Sequence, residues 1–145
     1  MTPRLLANVT CVAVEGRGLI IEGPPGSGKS TLALALIDRG GVLVGDDGIA
    51  LERRGTQLWA LPPPNIADRL EIRGVGIVTM PSAPAPLALV LSLGAEAERF
   101  PTPTARDVMG TALPCLPFDA STPTAPLRAE WALRLHGLPM VAAGS

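Results

Sequence analysis

The sequence predicts an α/β domain with a mixed β-sheet, and three observations indicate this class. An apolar stretch, LIIE at 19–22, leads into the glycine-rich turn GPPGSGKS at 23–30, and a helix-forming segment follows directly. Short β-rich stretches then recur along the chain between glycines and prolines. Hydrophobic residues make up 47% of the 145 residues and aromatic residues only 3%, which predicts an aliphatic core. We expect one domain over residues 1–145, because this length suits a single core.

Strands and turns dominate the first half of the chain. NVTCVAV at 8–14 and LIIE at 19–22 are predicted strands, joined by a turn at EGRG. KSTLALALIDRGG predicts a helix that ends at Gly40 or Gly41, and its apolar residues on nearly all sides predict deep burial. VLVGDD predicts a short strand that ends in acids, and IALERRG with QLWALP predicts a hairpin around Gly55.

Prolines and glycines interrupt the second half. LPPPNIADR is a predicted loop, LEIRGVGIV mixes strand residues with glycines, and 87–93 is a predicted buried strand. Residues 100–127 are rich in proline and threonine and predict no regular element. PLRAEWALRLHG at 126–137 predicts a short C-terminal helix that Gly137 ends. Its apolar stripe comprises Leu127, Trp131, Leu133 and Leu135.

Charge, hydropathy and cysteine usage exclude several classes of function. The net charge of −1 gives no electrostatic support for a general role in nucleic-acid binding. No apolar run reaches the ~18 residues that a membrane span needs, and the N-terminus MTPRLLANVT lacks the apolar region of a signal peptide. We therefore expect a cytoplasmic protein in which Cys11 and Cys115 are reduced core thiols.

The glycine-rich turn matches the pattern GxxxxGK[ST] of a phosphate-binding loop, or P-loop. Its glycines let backbone N–H groups point toward one phosphate, and the following helix adds its positive N-terminal end. Lys29 is the only lysine among twelve Lys and Arg residues, which indicates a position where a compact ammonium is needed. Ser30 is predicted to offer its hydroxyl to Mg²⁺. The residues predicted to bind nucleotide are Gly23, Pro24, Pro25, Gly26, Ser27, Gly28, Lys29, Ser30 and Thr31.

Three acids downstream of the loop are candidates for the chemistry. Asp46 and Asp47 follow a strand, where α/β sites collect their functional groups, so one carboxylate could serve a metal and the other accept a proton. The alternative is a tight turn, which Asp and Gly both favour. Glu71 lies among apolar residues and is either turned toward a metal or an arginine, or exposed and paired with Arg73. The only histidine, His136, is expected to be a partly exposed residue at a helix end.

Three segments occur in a fixed order along the chain: the P-loop, then VLVGDDGIALE, then LEIRGVGIV. Together they resemble the catalytic domain of HPr kinase/phosphorylase, which acts on a serine of the phosphocarrier protein HPr. The resemblance covers about residues 8–78 and continues more loosely to 126–137, as in a short proteobacterial form of the family. It implies that Lys29 holds the phosphates of ATP and that Ser30 and Glu71 bind Mg²⁺. It implies that Asp47 is the general base in phosphorylation and the general acid in reverse phosphorolysis, with Asp46 in support. The resemblance also matches Arg99, in AERFP, with an arginine that the family uses further along the chain, which implies a catalytic role for it.

The chain departs from the family pattern at two places. Asn8 stands where the family has a histidine that helps to poise the catalytic acid, so phosphorolysis stays open. The C-terminal region, which in the family receives HPr and closes a hexamer, is shortened and rich in proline here. The resemblance implies HPr as partner and a homo-oligomer. Two alternatives remain, a small-molecule P-loop kinase and a non-catalytic sensor that binds ATP.

Overall fold

A computed structural model describes residues 4–64, 67–94 and 96–140, which form eleven strands and two helices. None of these helices is long and apolar enough to cross a membrane, within the ranges described. The elements in chain order are β1 Arg4–Ala7, β2 Val9–Val14, β3 Arg17–Glu22, α1 Lys29–Asp38, β4 Val42–Gly45, β5 Gly48–Arg54, β6 Gln57–Leu61, β7 Arg69–Ile72, β8 Gly76–Thr79, β9 Ala85–Leu93, β10 Thr104–Val108, β11 Thr111–Phe118 and α2 Ala125–His136.

Nine strands form one mixed sheet, and β9 is the strand that holds it together. Along one edge, β9 pairs with β3 in parallel. Along the other edge, it pairs antiparallel with β6 near its start and parallel with β11 near its end. The rest of the order runs β1-β5-β6-β9-β3-β2-β4, with β10 beside β11. The sheet therefore divides at β9 and curls, and β7 and β8 form a separate two-stranded hairpin.

Two hydrophobic cores occupy opposite faces of the central strands, because side chains alternate along a strand. In β3, Leu19 and Ile21 face the core that packs against α1 and α2. Ile20 faces the second core, which β5 and β6 cover from the curled half of the sheet. β9 is buried at every position except Ser92, which explains its continuous apolar run.

Helix α1 begins directly after Gly28, whose φ of 101° is in the left-handed region, and ends at Asp38, just before the sequence position predicted. Leu32, Ala33 and Leu36 are buried, whereas both ends of the helix reach the surface. The prediction of a buried helix is thus confirmed for one face. Burial on all sides is wrong, because the opposite face borders a cavity.

Helix α2 and its glycine end were predicted to within one residue, but its buried face was not. The core contacts are Ala125, Ala129 and Leu133. Of the predicted stripe only Leu133 is buried, while Leu127, Trp131 and Leu135 are 41%, 65% and 77% exposed. The prediction was wrong because small alanines let the helix approach the sheet closely, which a count of large apolar residues does not anticipate.

The sequence analysis did not predict three of the strands, namely β1, β10 and β11. β10 and β11 form a hairpin whose two-residue turn is Met109 and Gly110, both with positive φ, a geometry that hairpins favour. β11 contains Pro114 and Pro117, which argue against a strand in a local reading. Its pairing with β9, which lies more than 20 residues earlier in the chain, supplies the structure that the local sequence does not indicate.

Candidate functional site

The glycine-rich loop connects the end of β3 to the first turn of α1. Gly23 is required by close packing, since a Cβ there would lie 2.6 Å from the Ser27 hydroxyl oxygen and 2.9 Å from the Leu93 carbonyl oxygen. Gly26 and Gly28 adopt positive φ angles of 80° and 101°, which turn the backbone around an open space. The loop therefore has the strand, turn and helix context that its sequence pattern predicted.

Two polar groups of the loop are arranged as an anion site requires. The Ser27 hydroxyl is buried and has no hydrogen-bond partner among the described residues. The Lys29 Nζ donates a 2.7 Å hydrogen bond to the Gly23 carbonyl oxygen, so the ammonium lies across the loop. A buried hydroxyl without a partner costs free energy unless a ligand satisfies it. The loop thus fits a phosphate group.

A cavity of about 480 Å³ opens in front of the loop. One wall consists of the loop and the first turns of α1, which include Lys29 and Ser30. The other wall is the hairpin of β7 and β8, which contributes Glu71 and Arg73. Glu71 and Arg73 are both exposed, as the alternative expected, but no ion pair joins them.

Asp46 connects the elements around this cavity. Its Oδ1 accepts a 2.8 Å hydrogen bond from the Ser30 hydroxyl and a 3.0 Å hydrogen bond from the Thr10 hydroxyl. Its Oδ2 accepts a 3.0 Å hydrogen bond from the backbone N–H of Glu71. One carboxylate thereby holds the P-loop serine, strand β2 and the β7–β8 hairpin in a fixed arrangement.

Asp47 occupies a different position from its neighbour. It is exposed and adopts a left-handed backbone with φ of 60°, and its carbonyl oxygen accepts a 3.1 Å hydrogen bond from the backbone N–H of Asn8. Asp47 borders a separate, mostly apolar cavity of about 250 Å³, which Leu6 and Pro63 also line. The two aspartates thus have different surroundings: Asp46 is hydrogen-bonded to the P-loop serine, and Asp47 is exposed and borders a cavity other than the one in front of the P-loop. The division of roles between them stays a prediction.

Arg99 does not line the phosphate cavity. Its guanidinium lies 5.4 Å from the ring centroid of Phe100, and its side chain borders a groove beside α2. Its predicted catalytic role thus receives no support from this geometry and stays a prediction. His136 is half-buried at the end of α2 and borders the same groove, as expected for a residue at a helix end.

The sequence analysis missed Thr10, which is 1% exposed and is one of the two buried polar residues in the described ranges. A signal was present, since a threonine stands between apolar residues in NVTCVAV. A buried hydroxyl needs a partner, but the sequence could not show that this partner is Asp46. Within the same ranges, no group of three or more His, Cys, Asp or Glu residues could hold a metal by itself.

Comparison with known proteins decides the family. A family model described as HPr Serine kinase C-terminal domain matches residues 1–83, more than half of the chain. The chain belongs to this family. The HPr kinase/phosphorylase of Nitrosomonas europaea is 41% identical over 81 residues, which is 55% of this chain and 25% of the relative. That of Caldicellulosiruptor bescii is 38% identical over 79 residues, 54% of this chain and 25% of the relative.

The curated HPr kinase/phosphorylase relatives are longer proteins. This chain spans about a quarter of their length. A solved structure, the Hpr(Ser) kinase/phosphatase from Coxiella burnetii, superposes with a TM-score of 0.78 at 26% identity. The alignment covers 92% of this chain and 90% of the other. It confirms the predicted fold class, an α/β domain of the HPr kinase type with a mixed sheet and a C-terminal helix. The expectation of one domain over 1–145 stays a prediction.

Proposed function

We propose that this chain is an ATP-dependent protein kinase that phosphorylates a serine of the phosphocarrier HPr. The observation that carries the proposal is the convergence of three motifs on Asp46, which bonds the P-loop Ser30 and the backbone of Glu71. These are the segments through which the sequence resembles HPr kinase/phosphorylase. The names of the relatives support HPr as the acceptor.

ATP and Mg²⁺ are the groups that this site fits. Lys29 would exchange its bond to the Gly23 carbonyl for the phosphates, and the buried Ser27 hydroxyl would gain a partner. Ser30 and Glu71 would hold Mg²⁺, with Asp46 orienting the Ser30 hydroxyl. Mg²⁺ binds few protein ligands beside phosphate oxygens and water, so the site needs no closed cluster of carboxylates. When bound, the metal neutralises charge on the phosphates.

The proposed reaction uses Asp47 as general base. Its exposed carboxylate takes the proton from the acceptor serine hydroxyl, whose oxygen forms a bond to the γ-phosphorus while the bond to ADP breaks. Positioning by the loop and charge neutralisation supply most of the acceleration. In reverse phosphorolysis the same carboxylate would return the proton to the serine oxygen. The backbone N–H of Asn8 is hydrogen-bonded to the Asp47 carbonyl oxygen. Because Asn8 stands where the family has a histidine, its proximity to Asp47 bears on whether the reverse reaction occurs.

The setting of the reaction follows from the proposal. We place this ATP-dependent chemistry in the cytoplasm, where Cys11 and Cys115 would stay free as the structure has them. The partner is a protein acceptor rather than nucleic acid. We also propose a homo-oligomer, which the resemblance to the family implies.

Incubation with γ-labelled ATP, Mg²⁺ and purified HPr tests the function. We expect label on a serine of HPr with the native chain. Asp47→Asn should abolish transfer and leave ATP binding unchanged, because the amide accepts no proton. Asp38→Asn is the matched control, since Asp38 is exposed at the far end of α1 and should transfer phosphate normally.

The other results of this experiment favour the alternatives. Label on a small metabolite and not on HPr would identify a small-molecule kinase. ATP binding without transfer to either acceptor would identify a nucleotide sensor. Near-full transfer by Asp47→Asn would remove the assignment of the base while leaving the kinase activity in place.

A further inference from the structure

A groove beside α2 has no role in the phosphate chemistry. It lies between the segment 97–101 and the outer face of α2, and its borders include Arg99, Phe118, Arg128 and Trp131. Its volume is about 230 Å³, below the ~300–1,000 Å³ typical of a whole small-molecule site. The groove is therefore suited to one end of a ligand whose other end lies elsewhere.

The two segments that form the walls of the groove lie next to residues that approach the P-loop. A Cβ on Gly94 would lie 3.0 Å from the Pro24 Cδ, and the segment that borders the groove follows shortly after Gly94. A Cβ on Gly28 would lie 3.9 Å from the Ala120 Cβ, next to Asp119 at the groove. Gly28 also lines the cavity in front of the P-loop, so the segment that carries Asp119 and Ala120 approaches the border of that cavity.

Sheet topology explains why these segments meet. β3, β9 and β11 are parallel, and their carboxyl ends are level, with Glu22 opposite Ser92 and Leu93 opposite Phe118. The P-loop leaves the first of these ends, and the two walls of the groove leave the other two. In open α/β sheets, ligands bind outside the carboxyl ends of parallel strands. A nucleotide on the P-loop would therefore extend toward the loops after β9 and β11.

The side chains of the groove suit a flat heterocycle. Arg99 and Trp131 are both exposed, and each already has one stacking partner. The Arg99 guanidinium lies 5.4 Å from the Phe100 ring centroid, and the Arg134 guanidinium lies 4.6 Å from the Trp131 ring centroid, so a ligand would stack on the second face of each group. Guanidinium and aromatic planes both stack on heteroaromatic rings. Arg128 supports the wall, since it donates hydrogen bonds to the Asp119 carbonyl oxygen and the Thr122 hydroxyl, and its guanidinium lies 4.9 Å from the Phe118 ring centroid.

We propose that this groove binds the base of the nucleotide whose phosphates the P-loop holds, with Arg99 and Trp131 in contact with the ring. The inference rests on the proposed function in requiring a nucleotide on the P-loop. It assigns to Arg99 a role in binding the base rather than in transferring the phosphoryl group.

Calorimetric titration with two probes, Mg·ATP and Mg·tripolyphosphate, tests the assignment, because the second probe has phosphates and no base. Wild-type protein should bind ATP more tightly than tripolyphosphate. Arg99→Ala and Trp131→Ala should each weaken ATP binding about tenfold, a loss typical of one stacking contact. Neither variant should change the affinity for tripolyphosphate. Arg54→Ala is the matched control, an exposed arginine over the Trp59 ring in the β5–β6 hairpin, and should leave both affinities unchanged.

Each other outcome overturns the assignment. Unchanged ATP affinity in both groove variants would show that the base lies elsewhere, as would equal affinities of the wild type for the two probes. An equal loss of affinity for ATP and for tripolyphosphate would show that the substitutions weaken phosphate binding or disturb the fold. Circular dichroism would distinguish these two explanations. Failure of the wild type to bind either probe would contradict the proposed function itself.

Discussion

Ser30 donates a 2.8 Å hydrogen bond to Oδ1 of Asp46, and this contact joins the P-loop to the turn between β4 and β5 that carries the two aspartates. The residues lie 16 positions apart in the chain. The bond leaves the lone pairs of the serine oxygen free for a metal ion. We therefore expect Asp46 to act as a positioning residue through Ser30.

Asp46→Asn should weaken Mg²⁺ binding in the presence of ATP by about 10–100-fold, a range typical of residues that orient metal ligands. The amide retains the shape of the side chain but loses its charge and replaces one acceptor oxygen with a donor. Titration of Mg²⁺ against ATP binding measures the effect, with Asp38→Asn as control. Unaltered Mg²⁺ affinity would show that Ser30 needs no orientation by Asp46.

Thr10→Val should lower the free energy of unfolding by ~1.5–3 kcal/mol, because the variant removes a buried hydrogen bond to a charged acceptor. Thr10→Ser is the matched control, since it retains the hydroxyl. Urea unfolding of the three proteins gives the difference. Equal stability of Thr10→Val and the wild type would mean that the Thr10 contact contributes nothing to the fold.

Lys29→Ala should lose ATP affinity and turnover together, because the P-loop ammonium contacts the phosphates in the proposed complex. Lys29→Arg retains the positive charge, and we expect a similar loss because the planar guanidinium fits the loop poorly. Equilibrium binding of ATP and the rate of HPr phosphorylation measure the two effects separately. Full activity of Lys29→Arg would show that charge alone suffices at this position.

Leu133→Ala should destabilise the protein by ~2–5 kcal/mol, since Leu133 is fully buried in the core between α2 and the sheet. Leu135→Ala removes the same atoms from a side chain that is 77% exposed and should change stability by no more than ~0.5 kcal/mol. Thermal or urea unfolding compares them. A similar cost at both positions would contradict the orientation of α2 described above.

The two cysteines should resist modification in the folded protein. Burial raises the pKa of the Cys11 thiol far above its ordinary value. Burial also raises the pKa of the Cys115 thiol, while the guanidinium of Arg106 opposes this rise. A raised pKa lowers the thiolate fraction at neutral pH, and only the thiolate reacts quickly.

We expect no rapid reaction of these cysteines with a disulfide reagent until denaturant exposes both thiols. In the folded protein, Cys115 should react first as the pH rises. Cys115→Ser identifies which thiol reacts, and rapid modification at neutral pH would contradict the packing of these strands.

Local sequence patterns were sufficient to predict secondary structure where neighbouring residues in the chain decide the backbone conformation. The P-loop, the start of α1 and the hairpin around Gly55 all depend on turn glycines and on periodicity over a few residues. β11 could not be predicted in this way, because its two prolines weaken the local signal and its partner β9 is distant in the chain. The buried face of α2 was predicted wrongly for a related reason. Large apolar side chains marked one stripe, while packing selected the face that carries Ala129 and Leu133.

The sequence by itself determined the residue types of the site, namely a P-loop lysine and serine followed by an aspartate pair and the LEIRG segment. Only the tertiary structure decided how they meet, because hydrogen bonds between distant residues form only when the sheet has brought their strands together. Asp46 bonds Thr10 across 36 residues and Glu71 across 25. The same parallel strands place the loops after β9 and β11 beside the P-loop and thus form the groove that contains Arg99 and Trp131.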